Sequence, residues 1–248
     1  MKTRVFIGID DTDIIGSPGT GKVARDVSQH LVELGLAESL GVSRHQLLVD
    51  PRVKYTSHNS CKGVAVQTER PIADLYQPCI AALKRCFQPG SDPGLCLCPE
   101  ERVDEELLCF GRRAEIEVLT KQEARDLADR RGIFLEELGG DGGGIIGALA
   151  AVGLRASGNN GRLVDCRGVR EIKGIISVRD LKQHTAIAEV RSEQGTVLGD
   201  EEFINSLDWI RPSLIGGRPI LRVKLSETAG ERQLWIPAEK AFTSKEEH

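Results

Sequence analysis

The chain has 248 residues, of which 40% are hydrophobic and 28% charged; this is ordinary globular usage and excludes a disordered protein, and the length holds one substantial core or two smaller ones. A net charge of −4 sets up no global basic field for a polyanion, and 4% aromatic residues leave few platforms for stacking single-stranded bases. No apolar run approaches the roughly 18 residues that cross a bilayer, and no basic start leads into a long apolar segment. A cytoplasmic location with no membrane partner is therefore expected, and the odd number of cysteines, seven, reads as reduced thiols.

Residues 4–9 form an apolar, strand-like run that stops in Asp10, Asp11 and Asp13. Carboxylates crowded this closely repel one another. A hard cation such as Mg2+ relieves the repulsion, and its sites use one or two carboxylates together with substrate phosphates. The alternative is a solvated acidic turn in which Thr12 or Asp13 caps a helix. The next stretch, Gly16 to Lys22, has the spacing of a phosphate-binding P-loop, but Val23 stands where a hydroxyl should reach the metal. It reads better as a glycine-rich entry to a helix over 22–34, with Val23, Val27, Leu31 and Leu34 on one face and Gly35 closing it. Lys22 is kept as a candidate phosphate ligand.

Strands are expected over 45–53 and 63–67. Between them lies a polar loop carrying Lys54, Thr56, Ser57, His58, Asn59 and Lys62, donors suited to phosphate or base edges. Cys61 and His58 are too weakly related to argue a nucleophile pair. A helix follows over 71–87 with Cys79 and Cys86 as small core residues, then a turn at 91–94 and a strand over 95–98. Alternation puts Cys96 and Cys98 on one face, at a spacing poor for zinc. Residues 114–119 look like a strand, and Thr120 with Glu123 makes a capping box for a helix to Arg131; the charged residues of 99–137 read as solvated faces that build the fold.

Five of the six residues 139–144 are glycine, running into an apolar helix of small residues. Amides of Gly142, Gly143 and Gly144 at such a helix start suit a phosphate. A turn at 157–161 marks a plausible boundary. Beyond it, strands are expected over 172–178, 185–190, 219–225 and 233–236, with a short helix near 200–207. His184 reads as structural or exposed, and the last five residues as a frayed tail.

With both the acidic and the glycine-rich stretches in view, the sequence resembles the archaeal isoleucine-tRNA agmatinylcytidine synthetase family. The resemblance rests on Ile7 to Asp13, the loop from Pro51 to Gly63 with Tyr55, the Pro93–Gly94 turn and Gly144 to Gly153. In that family an ATP-using, kinase-like domain precedes a ferredoxin-like domain, an OB-fold and a zinc ribbon, and ATP activates a wobble cytidine of tRNA for attack by agmatine. Only 87 residues follow Gly161, room for one small domain, and the family's basic-then-glycine loop pattern is replaced here by Thr56 to Lys62.

The resemblance implies ATP with Mg2+. The expected fold is α+β, a mixed sheet with flanking helices, divided into a kinase-like ATP/Mg-binding domain at 1–160 and a smaller sheet-rich unit at 161–248, ferredoxin-like by the same resemblance. The expected enzyme transfers a phosphoryl group to tRNA or a small-molecule acceptor, or hydrolyses ATP to activate it. Asp10, Asp11 and Asp13 would hold metal and take part in catalysis with Lys62, which is preferred over Lys22 and Lys54 for neutralising developing charge. Gly142, Gly143, Gly144, Lys22, Thr56, Ser57, His58 and Asn59 would bind the nucleotide. A nucleotide-sensing module without turnover and an RNA-binding adaptor are the alternatives, and the sequence leaves the oligomeric state open.

Overall fold

A computed structural model describes residues 2–56, 58–207, 209–226 and 234–238. In chain order the elements are β1 (Thr3–Asp10), α1 (Thr20–Glu33), β2 (Glu38–Gln46), β3 (Ser60–Thr68), α2 (Ala73–Cys86), β4 (Gly94–Pro99), α3 (Glu105–Ala114), α4 (Lys121–Arg131), β5 (Phe134–Glu137) and α5 (Gly144–Ala156). They continue with β6 (Arg162–Asp165), β7 (Ile175–Ser177), α6 (Val178–His184), β8 (Glu189–Ser192), β9 (Phe203–Asn205), β10 (Ser213–Ile215), β11 (Arg218–Leu225) and β12 (Trp235–Pro237). The fold is mixed α+β. Its strands join in one sheet of order β5-β4-β1-β3-β2-β6-β10-β11-β12-β9-β7, with β8 added parallel to β11.

The alternation of β1 builds two cores. Val5, Ile7 and Ile9 point to one face, where they pack with Val23, Val27 and Leu31 of α1 and Leu75, Cys79 and Leu83 of α2. Phe6 points to the other, against α3, α4 and α5, together with Cys96 and Cys98. The shared face expected for those two cysteines is therefore observed, and it is a core face. All seven cysteines are free thiols, five of them buried. A third cluster, including Val178, Leu181, Val190, Ile204 and Leu221, fills the C-terminal part of the sheet.

Several elements differ from expectation. The strand expected over 45–53 begins earlier and ends at Gln46, with a bulge between Ser39 and Val42; the apolar residues after it serve a loop. The strand expected over 114–119 is the end of α3 and a connection to α4. Asp104 accepts the Leu107 N–H and starts α3, whose Leu107, Phe110 and Ala114 are buried. That face was hidden in sequence among many charges. The helix expected near 200–207 is the short strand β9, paired with β7, while the unanticipated helix α6 is started by the Ser177 hydroxyl, which accepts the Asp180 N–H. The Thr120–Glu123 capping box forms as read, and Gly132 closes α4 in the left-handed conformation.

Candidate functional site

The chain reversals at the ends of β1, β2 and α3 and at the start of α5 enclose a cleft of about 370 Å3. Asp10, the last residue of β1, lies opposite Gly94 of β4. By alternation it shares the α5 face with Phe6 and Gly8, and α5 comes in over it. A side-chain carbon at Gly144 would sit 3.1 Å from the Asp10 carbonyl oxygen, and one at Gly147 would lie 2.9 Å from the Asp10 Cβ and overlap its carboxylate. Residues distant in sequence, the acidic turn and the glycine-rich helix start, are thus in contact, and only the missing side chains of that helix permit it.

Each acid has a distinct setting. Asp11 has φ +51, a left-handed conformation that aspartate tolerates better than most residues. Asp13 accepts the Thr20 hydroxyl at 2.7 Å and the Thr56 hydroxyl at 3.3 Å. Asp92 also lines the cleft; its side chain accepts the Asp141 N–H at 2.6 Å and its carbonyl accepts the Gly144 N–H at 3.0 Å. The Gly143 N–H is taken by the Asp141 carboxylate at 2.9 Å. Two of the amides expected to hold phosphate therefore have internal acceptors in this state.

The remaining predicted residues separate into two groups. Thr56, His58, Asn59, Gly143 and Gly144 line the cleft with Asp10, Asp11 and Asp13; Ser57 lies outside the described residues. Lys22 pairs with Asp26 along the exposed side of α1 and is absent from the cleft wall. Gly142 packs against the Glu137 side chain. Lys62 is opposite Ile9 in the ladder, so its side chain leaves on the α1 face, where it is buried and donates to the Ser60 carbonyl at 3.1 Å and hydroxyl at 3.2 Å. It acts on Asp10 through the field of its charge rather than by lining the cleft.

Sequence reasoning missed Asp92, which looked like a turn residue, and the whole α3–α4 connection. That connection supplies Val118 and Leu119, and the β2–β3 loop supplies Leu47, Leu48 and Val53, giving the cleft an apolar wall. The Leu48 N–H donates to the Ala114 carbonyl at 3.0 Å, tying the two segments. A run of apolar residues just past a strand end, followed by a polar loop, was the available signal.

Burial pushes the Asp10 carboxyl up to about 7, opposed by the Lys62 charge and reinforced by Asp11. Burial likewise raises Asp11 to about 6, helped by Asp92, Asp13 and Asp141. A carboxyl raised above its unfolded value keeps its proton longer in the fold, so its contribution to stability is lost as pH rises from about 4 through 7. Ligand-free wild type should therefore lose stability relative to Asp10→Asn between pH 5 and pH 8. The expected difference is about 1–2 kcal/mol, discounted because the cleft is open to water. Paired urea melts at the two pH values measure it, and equal gaps at both would refute the raised carboxyl.

Crowded carboxylates with raised proton affinity are the setting a cation relieves. Among the described residues no group of three or more His, Cys, Asp or Glu is gathered as a ready metal site. Mg2+ needs no such group, because one or two carboxylates suffice when phosphates and water complete the shell. The Thr12 hydroxyl within the same turn is buried and lacks a hydrogen-bond partner, but Thr12 does not line the cleft. The residues present fit Mg2+ bound with a phosphate ligand.

Solved structures similar to this one include a tRNA fluorescent labeling enzyme, 28% identical over 60% of this chain and 36% of that one, with a TM-score of 0.52. Apo TiaS, a tRNA agmatidine synthetase, is 26% identical over 70% of this chain and 38% of its own, with a TM-score of 0.52. TiaS in complex with its tRNA and ATP is 26% identical over 73% and 40%, with a TM-score of 0.54. No protein-family model and no curated protein matches the chain. The chain is thus similar in structure to TiaS, and it spans about 40% of the length of the TiaS chains it matches. No helix among the described residues is long and apolar enough to cross a membrane.

Proposed function

We propose that this chain binds ATP with Mg2+ in the cleft and uses it to phosphorylate or activate an acceptor group, with tRNA the favoured acceptor. The observation that carries the reading is the contact between the Asp10 carboxylate and the first turn of α5 at Gly147, which sets an anion-tolerant helix start beside a cation-seeking turn. The structural relationship to TiaS, solved with ATP and tRNA, supports the choice of nucleotide and acceptor.

Phosphoryl transfer is mostly positioning and charge stabilisation. Asp10, Asp11 and Asp13 would hold the metal, which supplies neutralisation of phosphate charge when bound. Thr20 and Thr56 orient Asp13 through their hydroxyls. The apolar wall of Leu47, Leu48, Val118 and Leu119 takes the base and excludes water from one side of it. One of these three carboxylates would also take the proton from the acceptor. The kinase-like domain proposed for 1–160 contains every residue of this set.

Thermal melts with Mg2+ and each nucleotide test the reading. ATP at about 100 times its dissociation constant should stabilise the fold by about 2.7 kcal/mol, a rise of roughly 5–11 °C for a chain of this size. An unchanged melting temperature with every nucleotide would remove it.

A further inference from the structure

Lys54 is the least buried charged group on the cleft wall that is nevertheless tightly engaged. Its Nζ lies 2.7 Å from Asp141 Oδ2 and 3.9 Å from Asp92 Oδ2, with 78% of the side chain exposed. The other Asp141 oxygen accepts the Gly143 N–H at 2.9 Å, and the Lys121 amine donates to the Asp141 carbonyl. The Asp141 carboxylate thus occupies the surroundings a phosphate would seek, a lysine and a backbone amide at a helix start. Two residues beyond Lys54, Thr56 donates to Asp13. The segment 54–56 therefore crosses the mouth of the cleft and is fastened at both acidic walls.

We propose that 54–56 is a strap held shut by the Lys54–Asp141 ion pair, and that the terminal phosphate of a nucleoside triphosphate opens it by taking Lys54 from Asp141. Lys54 then becomes the residue that distinguishes a triphosphate from a diphosphate. The inference rests on the nucleotide-binding reading above. Its energetics are reasonable: an exposed lysine–carboxylate pair is weak, so a more highly charged phosphate replaces Asp141 as the partner of Lys54.

The test is a set of dissociation constants for MgATP and MgADP, measured by calorimetry on the full chain, wild type, Asp141→Asn, Lys54→Met, Lys54→Arg and the double variant Asp141→Asn/Lys54→Met. Melting temperatures check that each variant folds. Asparagine still accepts the Gly143 N–H but no longer pairs with lysine, so Asp141→Asn should tighten MgATP about threefold to tenfold. Lys54→Met should weaken MgATP about tenfold and MgADP less than twofold, and Lys54→Arg should restore most of the loss. In the double variant the gain from Asp141→Asn should vanish, since there is no strap left to release. Simple relief of charge repulsion predicts the opposite, a gain that persists without Lys54, and that result overturns the strap. So does equal weakening of MgATP and MgADP by Lys54→Met. If wild type binds MgATP and these patterns fail, only the strap falls. If neither wild type nor Asp141→Asn binds either nucleotide, the nucleotide reading falls and takes the strap with it.

Discussion

Asp10→Asn should lower Mg2+-dependent ATP consumption by about 100-fold or more while the protein remains folded. Loss of a positioned proton acceptor costs about 10²–10⁴ in rate, and loss of a carboxylate that would hold the metal instead removes charge stabilisation on which phosphoryl transfer depends. The substitution keeps the shape of the side chain, so the packing against Gly147 persists. It also removes a carboxyl whose burial pushes it up to about 7, so the variant should melt no lower than wild type at pH 8. Activity loss without stability loss is the diagnostic combination. ATP consumption would be followed with and without added tRNA, and turnover within tenfold of wild type would exclude Asp10 from the chemistry.

Gly8→Ala should have the largest effect on stability, and it isolates the role of close approach. A side-chain carbon at Gly8 would overlap the Ala148 carbonyl oxygen and lie 2.8 Å from its carbon. The obstacle is backbone on the rigid helix α5, with Val152 Cγ2 3.1 Å away on the next turn. Neither the helix nor the central strand can yield locally, so overpacking should cost about 3 kcal/mol or more, a fall of roughly 6–12 °C in Tm. Gly147→Ala is the informative contrast. There the added carbon meets the Asp10 carboxylate, which can rotate away, and the Asp10 Cβ at 2.9 Å, which must give by a small backbone shift at the end of β1. That variant should lose less stability than Gly8→Ala, yet lose ATP consumption because Asp10 has left its place. Equal destabilisation by the two substitutions would refute the distinction between a packing glycine and a site glycine.

The parts of the fold legible in sequence were those with strong local signals. The strand before Asp10, the amphipathic α1, the Thr120 capping box and the glycine start of α5 each carry their own periodicity or cap. The misread parts had weak or misleading ones. Leu47 and Leu48 continue the apolar pattern of β2, yet they turn into the cleft because the Leu48 N–H is taken by the Ala114 carbonyl rather than by a strand. The segment 114–119 alternates like a strand, but α3 reaches Ala114 and the segment makes the passage to α4.

The candidate site divides in the same way. The chain by itself determined that a carboxylate turn and a glycine-rich helix start exist, because both are runs of consecutive residues whose chemistry does not depend on neighbours. The choice among the lysines was beyond it. Sequence favours Lys62 as a loop residue, yet it lies in β3, and only tertiary structure separates the three lysines. Ladder pairing opposite Ile9 sends Lys62 to the α1 face, Lys22 is satisfied by Asp26 one helical turn away, and Lys54 is left at the mouth against Asp141. Which face a strand residue takes, and which distant backbone crosses it, are set by register and helix packing. For that reason the contact of Asp10 with Gly147, on which the proposed chemistry depends, belongs to the fold and not to either motif.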